Sequence, residues 1–142
     1  MEQARDVSDR YMDAINAHDA NGIAGLFADD GVLSDPTGDF RGREAIVEYW
    51  QGFFTAFPDL AGRDEFKAES GDTAINEWAL SATNTGPLET PEGAIPATGK
   101  RLTLWGCDAI TVREGLIASQ RVYYDVLTFM KQLGLVPEGA AS

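Results

Sequence analysis

The stretch from Leu102 to Leu127, LTLWGCDAITVREGLIASQRVYYDVL, constrains the fold more than any other part of the chain. It reads as two strands joined at Arg113-Glu114-Gly115, where glycine permits the positive φ that a tight hairpin needs. Alternation with a period of two puts Leu102, Leu104, Gly106, Asp108, Ile110 and Val112 in one row of the first strand. Asp108 is the one charged residue in that row. A lone buried carboxylate is too costly to persist, so either a cation pairs with Asp108 or its carboxyl is held protonated, as a hydrogen-bond donor. The hairpin register separates the two cases. A two-residue turn at Glu114-Gly115 sets Arg121 across from Asp108 and keeps it ionised, whereas a three-residue loop with a bulge brings Gln120 there and preserves the donor.

The segments before this hairpin supply helices and further strands. Val7, Tyr11, Ala14, Ile15 and His18 recur at helical spacing over about residues 4–18, so Tyr11 sits on a buried stripe. A short second helix follows, with Ala20, Ile23, Ala24 and Phe27 inward. Asp29-Asp30-Gly31 reads as a turn, and Val32 to Asp35 as a brief strand that stops at Pro36, because proline has no ladder donor. The strongest helix spans about Arg43 to Phe57, with the stripe Ile46, Trp50, Phe53, Phe54 and Phe57. Strands are expected near Glu65 to Ser70 and Ala74 to Asn84, the second carrying Trp78, Leu80 and Ala82 on one face. Thr85 to Thr98 reads as a long loop able to cover a pocket mouth, and Phe129 to Leu135 as a closing helical turn.

Helices first and a meander of long strands afterwards imply an α+β fold, three N-terminal helices packed on one face of a curved, mainly antiparallel sheet. At 142 residues the chain suits one domain over 1–142, with 136–142 as a mobile tail. The net charge of −12 would repel phosphate backbones and acidic membrane surfaces, so neither nucleic acid nor membrane is an expected partner. One cysteine excludes an internal disulfide, and one histidine with one cysteine leaves few soft ligands for a metal; no metal is expected. The start, MEQARDVSDRY, lacks a basic segment followed by an apolar core, so a soluble, cytoplasmic protein is expected.

"RYMDAINAHDANGIAGLFADDGVLSDPTG", "FRGREAIVEYWQGFF", "TGPL…PATGKRLTLWG" and "RVYYDVLTFMKQLGL" resemble the NTF2-like superfamily over nearly the whole chain, most closely its SnoaL-like polyketide cyclase and ketosteroid isomerase branches. The resemblance implies a cone-shaped α+β domain around a hydrophobic pocket. Ketosteroid isomerases carry a tyrosine on the first helix, an aspartate base before a proline, and a second aspartate on a late strand. Tyr11, Asp35 and Asp108 fall at those places. The implied activity is a proton shuttle without a cofactor: Asp35 takes a proton beside a ketone, while Tyr11 and a protonated Asp108 donate to the enolate oxygen. SnoaL-like cyclases instead place an acid/base aspartate shortly before the closing "QLG". Asp125 matches it, but the partner histidine of that branch has no counterpart. "RVYYD" also resembles the end of limonene epoxide hydrolases, yet their Arg-x-Asp is replaced around Trp78-Ala79-Leu80.

The structural alternatives are specific. Asp35 before Pro36 can simply start a turn, and Tyr11 can be core with its hydroxyl on a carbonyl. His18, at a helix end, suits capping better than catalysis. Trp50, Phe53, Phe54, Phe57, Trp78 and Tyr123 are expected to line the pocket around a small hydrophobic substrate or ligand. Trp105 and Cys107 fall in the row opposite Asp108, and an exposed tryptophan there fits a homodimer through the outer sheet face, the common pairing surface of the resembling family. Such a dimer could also bind its ligand without changing it.

Overall fold

The computed structural model describes residues 3–90 and 92–136. Helix α1 (Ala4–Asn16) buries Ala4, Val7, Ser8, Tyr11 and Ile15, the stripe its spacing dictates. Helix α2 (Ala20–Gly25) starts where the Asp19 carboxylate accepts the Gly22 N–H at 2.9 Å, a side-chain N-cap. His18 ends α1 through its backbone: at φ 54° its N–H donates to the Ile15 carbonyl and the next N–H, of Asp19, to that of Ala14, both at 3.0 Å, while its ring stacks on Phe54 and meets the Leu60 carbonyl oxygen at 2.6 Å.

Strand β1 (Phe27–Asp35) is longer than expected and absorbs Asp29-Asp30-Gly31 as an irregularity in its register rather than as a turn. It returns through β2 (Gly38–Arg41). Helix α3 (Arg43–Ala56) is tied back to β1 by the Arg43 guanidinium, which donates twice to the Phe27 carbonyl at 2.9 and 2.7 Å. Burial of Ile46 and Trp50 on its inner side stabilises this docking by about 1.5–3 kcal/mol per side chain.

Strands β3 (Ala61–Ser70) and β4 (Thr73–Thr83) form the next hairpin. Thr85 to Thr98 contains the small β5 (Leu88–Thr90) and β6 (Gly93–Ile95) ladder. Buried Asn84 clasps this segment, donating to Ala56 and Gly86 carbonyls and accepting from Thr98. Strands β7 (Arg101–Arg113) and β8 (Leu116–Tyr124) complete a six-stranded sheet of order β2-β1-β8-β7-β4-β3, antiparallel except for the β1/β8 pair. Helix α4 (Val126–Gln132) begins earlier than expected, so four helices pack with the sheet. The fold is the expected α+β one; of the tail expected over 136–142, residues 137–142 lie outside the described residues.

The β7/β8 hairpin follows neither expected register. Its turn is two-residue, with Glu114 at φ 53° and Gly115 at φ 79°, as tight hairpins prefer. The pairing then shifts between Thr111 and Val112, leaving Ala118 unmatched between Ile117 and Ser119. That bulge reverses the phase of β8 beyond it, because side chains alternate faces. Gln120, Val122 and Tyr124 therefore turn inward, while Arg121 and Tyr123 turn outward; Val122 is the direct neighbour of Asp108.

Gly106, paired with Trp78, marks a close approach of side chain to backbone on the inner face. A Cβ at Gly106 would lie 2.5 Å from two Trp78 ring atoms and 2.6 Å from the Tyr123 carbonyl oxygen. Gly106→Ala should accordingly lower stability by about 1–3 kcal/mol through overpacking, read as a reduced urea midpoint. A variant as stable as the parent would contradict the packing described.

Candidate functional site

Helices α1 and α3 and the inner rows of β4, β7 and β8 enclose an apolar pocket of about 640 Å³, its open mouth included. Met12 and Ile15 come from α1, Tyr49, Trp50 and Phe53 from α3, and Trp78 and Leu80 from β4. Leu104 and Asp108 come from β7, and Gln120, Val122 and Tyr124 from β8. Three expected lining residues, Trp50, Phe53 and Trp78, are thus brought together with Tyr11 and Asp108.

The other expected residues are not. Phe57 is fully buried in the core, and Phe54 stacks on His18 instead of facing the pocket. Tyr123 is 56% exposed on the outer sheet face, and the phase change at Ala118 gives its place to Tyr124. No described residue of the Thr85 to Thr98 segment lines the pocket; Asn84 ties the two ends of the segment down at Gly86 and Thr98.

Asp125 is exposed and caps α4: its carboxylate accepts the Leu127 and Thr128 N–H groups and the Thr128 hydroxyl. Those hydrogen bonds hold its carboxyl below the usual range and commit it to the helix end. Asp35 occupies the turn that its sequence suggested, accepting the Thr37 N–H at 2.7 Å and the Thr37 hydroxyl at 2.6 Å. It touches the pocket only through Tyr49, whose hydroxyl donates to its second oxygen at 2.9 Å. Burial raises Tyr49 and Tyr124, and the Asp35 charge pushes both further in the same direction.

Two carboxyls line the pocket: Asp64, paired with the Lys67 ammonium at 3.2 Å, and Asp108. Asp108 is 4% exposed, and no cation among the described residues touches it. Asn76 Nδ2 donates to Oδ1 at 2.8 Å and Gln120 Nε2 to Oδ2 at 2.7 Å, so two neutral amides hold both oxygens as acceptors. The expected protonated donor is therefore not what the geometry presents. Burial drives the carboxyl up, the two amides oppose this, and the balance leaves it at about 6, ionised at neutral pH and suited to accept a proton. Sequence reading missed Asn76, although it lay in an apolar row with Trp78 and Ala82, the same signal that exposed Asp108.

Among the described residues, three buried side-chain polar atoms have no protein partner: Tyr11 OH, Trp50 Nε1 and Gln120 Oε1. All three residues line the pocket. Burial and the Asp108 charge push Tyr11 well above the ordinary phenol range, although Gln120 and Trp50, near enough to act on it as hydrogen-bonding neighbours, pull the other way, so it stays neutral. The two donors and one acceptor thus face one another without a well-formed hydrogen bond, and the polar end of a ligand would compete for them in this hollow. Among the described residues no three His, Cys, Asp or Glu side chains are grouped to hold a metal, and no helix is long and apolar enough to cross a membrane.

The raised carboxyl has a thermodynamic consequence. Its folded value, about 6, lies above the unfolded value near 4, so the folded chain holds the proton more tightly. The stability this group contributes is full below about pH 4 and is lost as the pH rises through about 6, a change on the order of 3 kcal/mol. Asp108→Asn removes it. Urea unfolding from pH 4 to 8 should show the variant gaining on the parent by about that amount, and a difference independent of pH would contradict the assignment.

Residues 8–120 match the family model of the SnoaL-like domain. No curated protein is similar enough in sequence to count as a match. Among solved structures, a SnoaL-like protein from Jannaschia sp. CCS1 is 18% identical with a TM-score of 0.82, over 95% of this chain and 94% of that one. A protein from Catenulispora acidiphila with a ketosteroid isomerase-like fold, in complex with trimethylamine, is 20% identical with a TM-score of 0.76, over 92% and 93%. IdmH from Streptomyces antibioticus, described as a candidate polyketide cyclase, is 25% identical with a TM-score of 0.76, over 94% and 99%. The fold is thus NTF2-like, of the ketosteroid isomerase type, and the chain belongs to the SnoaL-like family.

Proposed function

We propose that this protein is an acid/base enzyme that moves a proton on a small hydrophobic carbonyl compound, with Asp108 as the base. The observation that carries the reading is a buried carboxylate, two amides on its oxygens, beside unpaired donors from Tyr11 and Trp50 in an apolar pocket. The carboxylate takes a proton from the carbon next to the carbonyl, and the C–H electron pair passes to the carbonyl oxygen. Tyr11 O–H and Trp50 N–H donate to the enolate so formed. Return of the proton to another carbon of a conjugated enolate completes an isomerisation; attack of the enolate carbon on a second carbonyl closes a ring, the new alkoxide taking the proton back from Asp108. Both outcomes use the same residues, and neither requires a cofactor. Likeness to IdmH supports ring closure. The base is Asp108 rather than Asp35, because Asp35 is committed to Thr37 and Tyr49 outside the lining. An exposed, capping Asp125 has no place in the reaction.

Hydrogen–deuterium exchange beside the carbonyl of bulky cyclic ketones, followed by NMR in D2O, tests this without knowledge of the natural substrate. Asp108→Asn should lower the enzyme-dependent rate by about 10²–10⁴-fold, while Asp125→Ala leaves it unchanged. Saturable ketone binding without exchange in the parent would show a ligand carrier instead.

A second copy of the chain is the proposed partner. Trp105 (69% exposed), Tyr123, Ile75 and Phe66 lie together on the outer faces of β7, β8, β4 and β3. Exposed Glu77 and Arg121 flank them on the same face, one of each sign, so that a two-fold axis can set each against its opposite. Light scattering should give a dimer for the parent and a folded monomer for Trp105→Glu. A parent that stays monomeric at tens of micromolar, about the range where weak dimers form, would exclude this surface.

A further inference from the structure

Asp108 could be held in either protonation state by amides, since each amide offers a donor on one side and an acceptor on the other. What selects the state is one shell further out. Lys67 on β3 reaches under the sheet with a side chain only 15% exposed, and its ammonium donates to Asn76 Oδ1 at 3.0 Å. The same ammonium meets Ser8 Oγ at 3.2 Å, Asp64 Oδ2 at 3.2 Å and Asp9 Oδ1 at 2.8 Å. An ammonium has donors only. Asn76 must therefore present its oxygen to Lys67 and its NH2 to Asp108, because the flipped amide would set N–H against N–H.

We propose that Lys67 is a positioning residue for this site: through Asn76 it fixes the amide that faces Asp108 and so keeps that carboxyl an acceptor, ready to serve as the base. The polarity continues beyond Asp108. Gln120 Nε2 donates to Oδ2, which leaves Gln120 Oε1 toward the pocket, unpaired, beside the Tyr11 hydroxyl. The orientation set at the protein's edge is thus handed through four side chains to the place where the ligand's polar end sits. The inference deepens the acid/base reading given above and rests on it for its functional meaning, but not for its test.

The titratable and charged groups around Asp108 are Tyr11 from α1, Tyr49 from α3, Asp64 and Lys67 from β3 and Tyr124 from β8, with Asp9 of α1 behind Lys67; β4 and β8 also offer the neutral Asn76 and Gln120. Asp64 disfavours the carboxylate and Lys67 favours it. Loss of Lys67 removes the cation, leaves Asp64 and Asp9 uncompensated, and frees Asn76 to accept from a protonated Asp108. All three effects push the carboxyl in one direction, up.

The side-chain carboxyl of Asp108 can be titrated by carbon-13 NMR in the full chain, its signal assigned by loss in Asp108→Asn. Lys67→Met should raise the midpoint by about one pH unit, tenfold in proton affinity, whereas Lys67→Arg, another donor-only cation, should stay near the parent. In an Asn76→Ala background the same Lys67→Met change should move the midpoint less far, since the route through the amide is gone and only the charge effects remain. A midpoint that ignores Lys67→Met, or that moves equally in both backgrounds, overturns the proposal: the first denies any influence, the second makes it a charge acting through space. Lys67→Gln, polar and able to accept as well as donate, replaces Lys67→Met if the latter does not fold, with the same direction expected. The titration uses no substrate, so absence of carbonyl chemistry would refute the enzyme reading while leaving this result standing.

Discussion

A carboxylate almost sealed from water must be met by donors, and the inner architecture of this protein is arranged around that requirement at Asp108. Its two oxygens take one amide each from the strands on either side, β4 and β8. An ion pair would have held the charge firmly and left a weak base; an apolar cage would have forced protonation. Neutral amides fall between, and the carboxyl rests near 6, where a base can both take a proton and release it. Most of the remaining lining is apolar or aromatic, which keeps the effective dielectric low and makes each donor count for more.

Much of this was legible in the sequence, for a definable reason. Strands of alternating type show their inner row directly, so a polar residue in an apolar row stands out, as Asp108 did. Long helices with strong periodicity, α1 and α3, likewise revealed Tyr11 and Trp50. What was not legible on β8 followed from a single unpaired residue. The bulge at Ala118 has no sequence mark, yet it reverses the faces of β8, exchanging Tyr123 for Tyr124 and removing Arg121 from the reach of Asp108. Register is a long-range property, set by how β8 meets both β7 and β1, and local propensity does not carry it.

The aspartates show a second limit. Asp35, Asp108 and Asp125 each matched a position where some branch of the superfamily keeps an acidic group, but residue identity does not specify environment. Asp125 is occupied with capping a helix and Asp35 with a turn and a tyrosine. Only Asp108 combines burial, satisfied oxygens and an adjacent cluster of unpaired polar atoms. The Asp35–Tyr49 pair stays close enough to colour the electrostatics of the pocket through Tyr49 and Tyr124, while the second carboxylate of the lining, Asp64, is paired with Lys67.

The most direct measurement is a crystal structure with a bound hydrophobic phenol, a stable mimic of an enolate. The account places the phenol oxygen within about 3 Å of Tyr11 OH and Trp50 Nε1, with the ring against Trp78 and a ring carbon next to an Asp108 oxygen. A phenol seated on Asp35 or Asp125, with Tyr11 and Trp50 still unpaired beside it, would contradict the account.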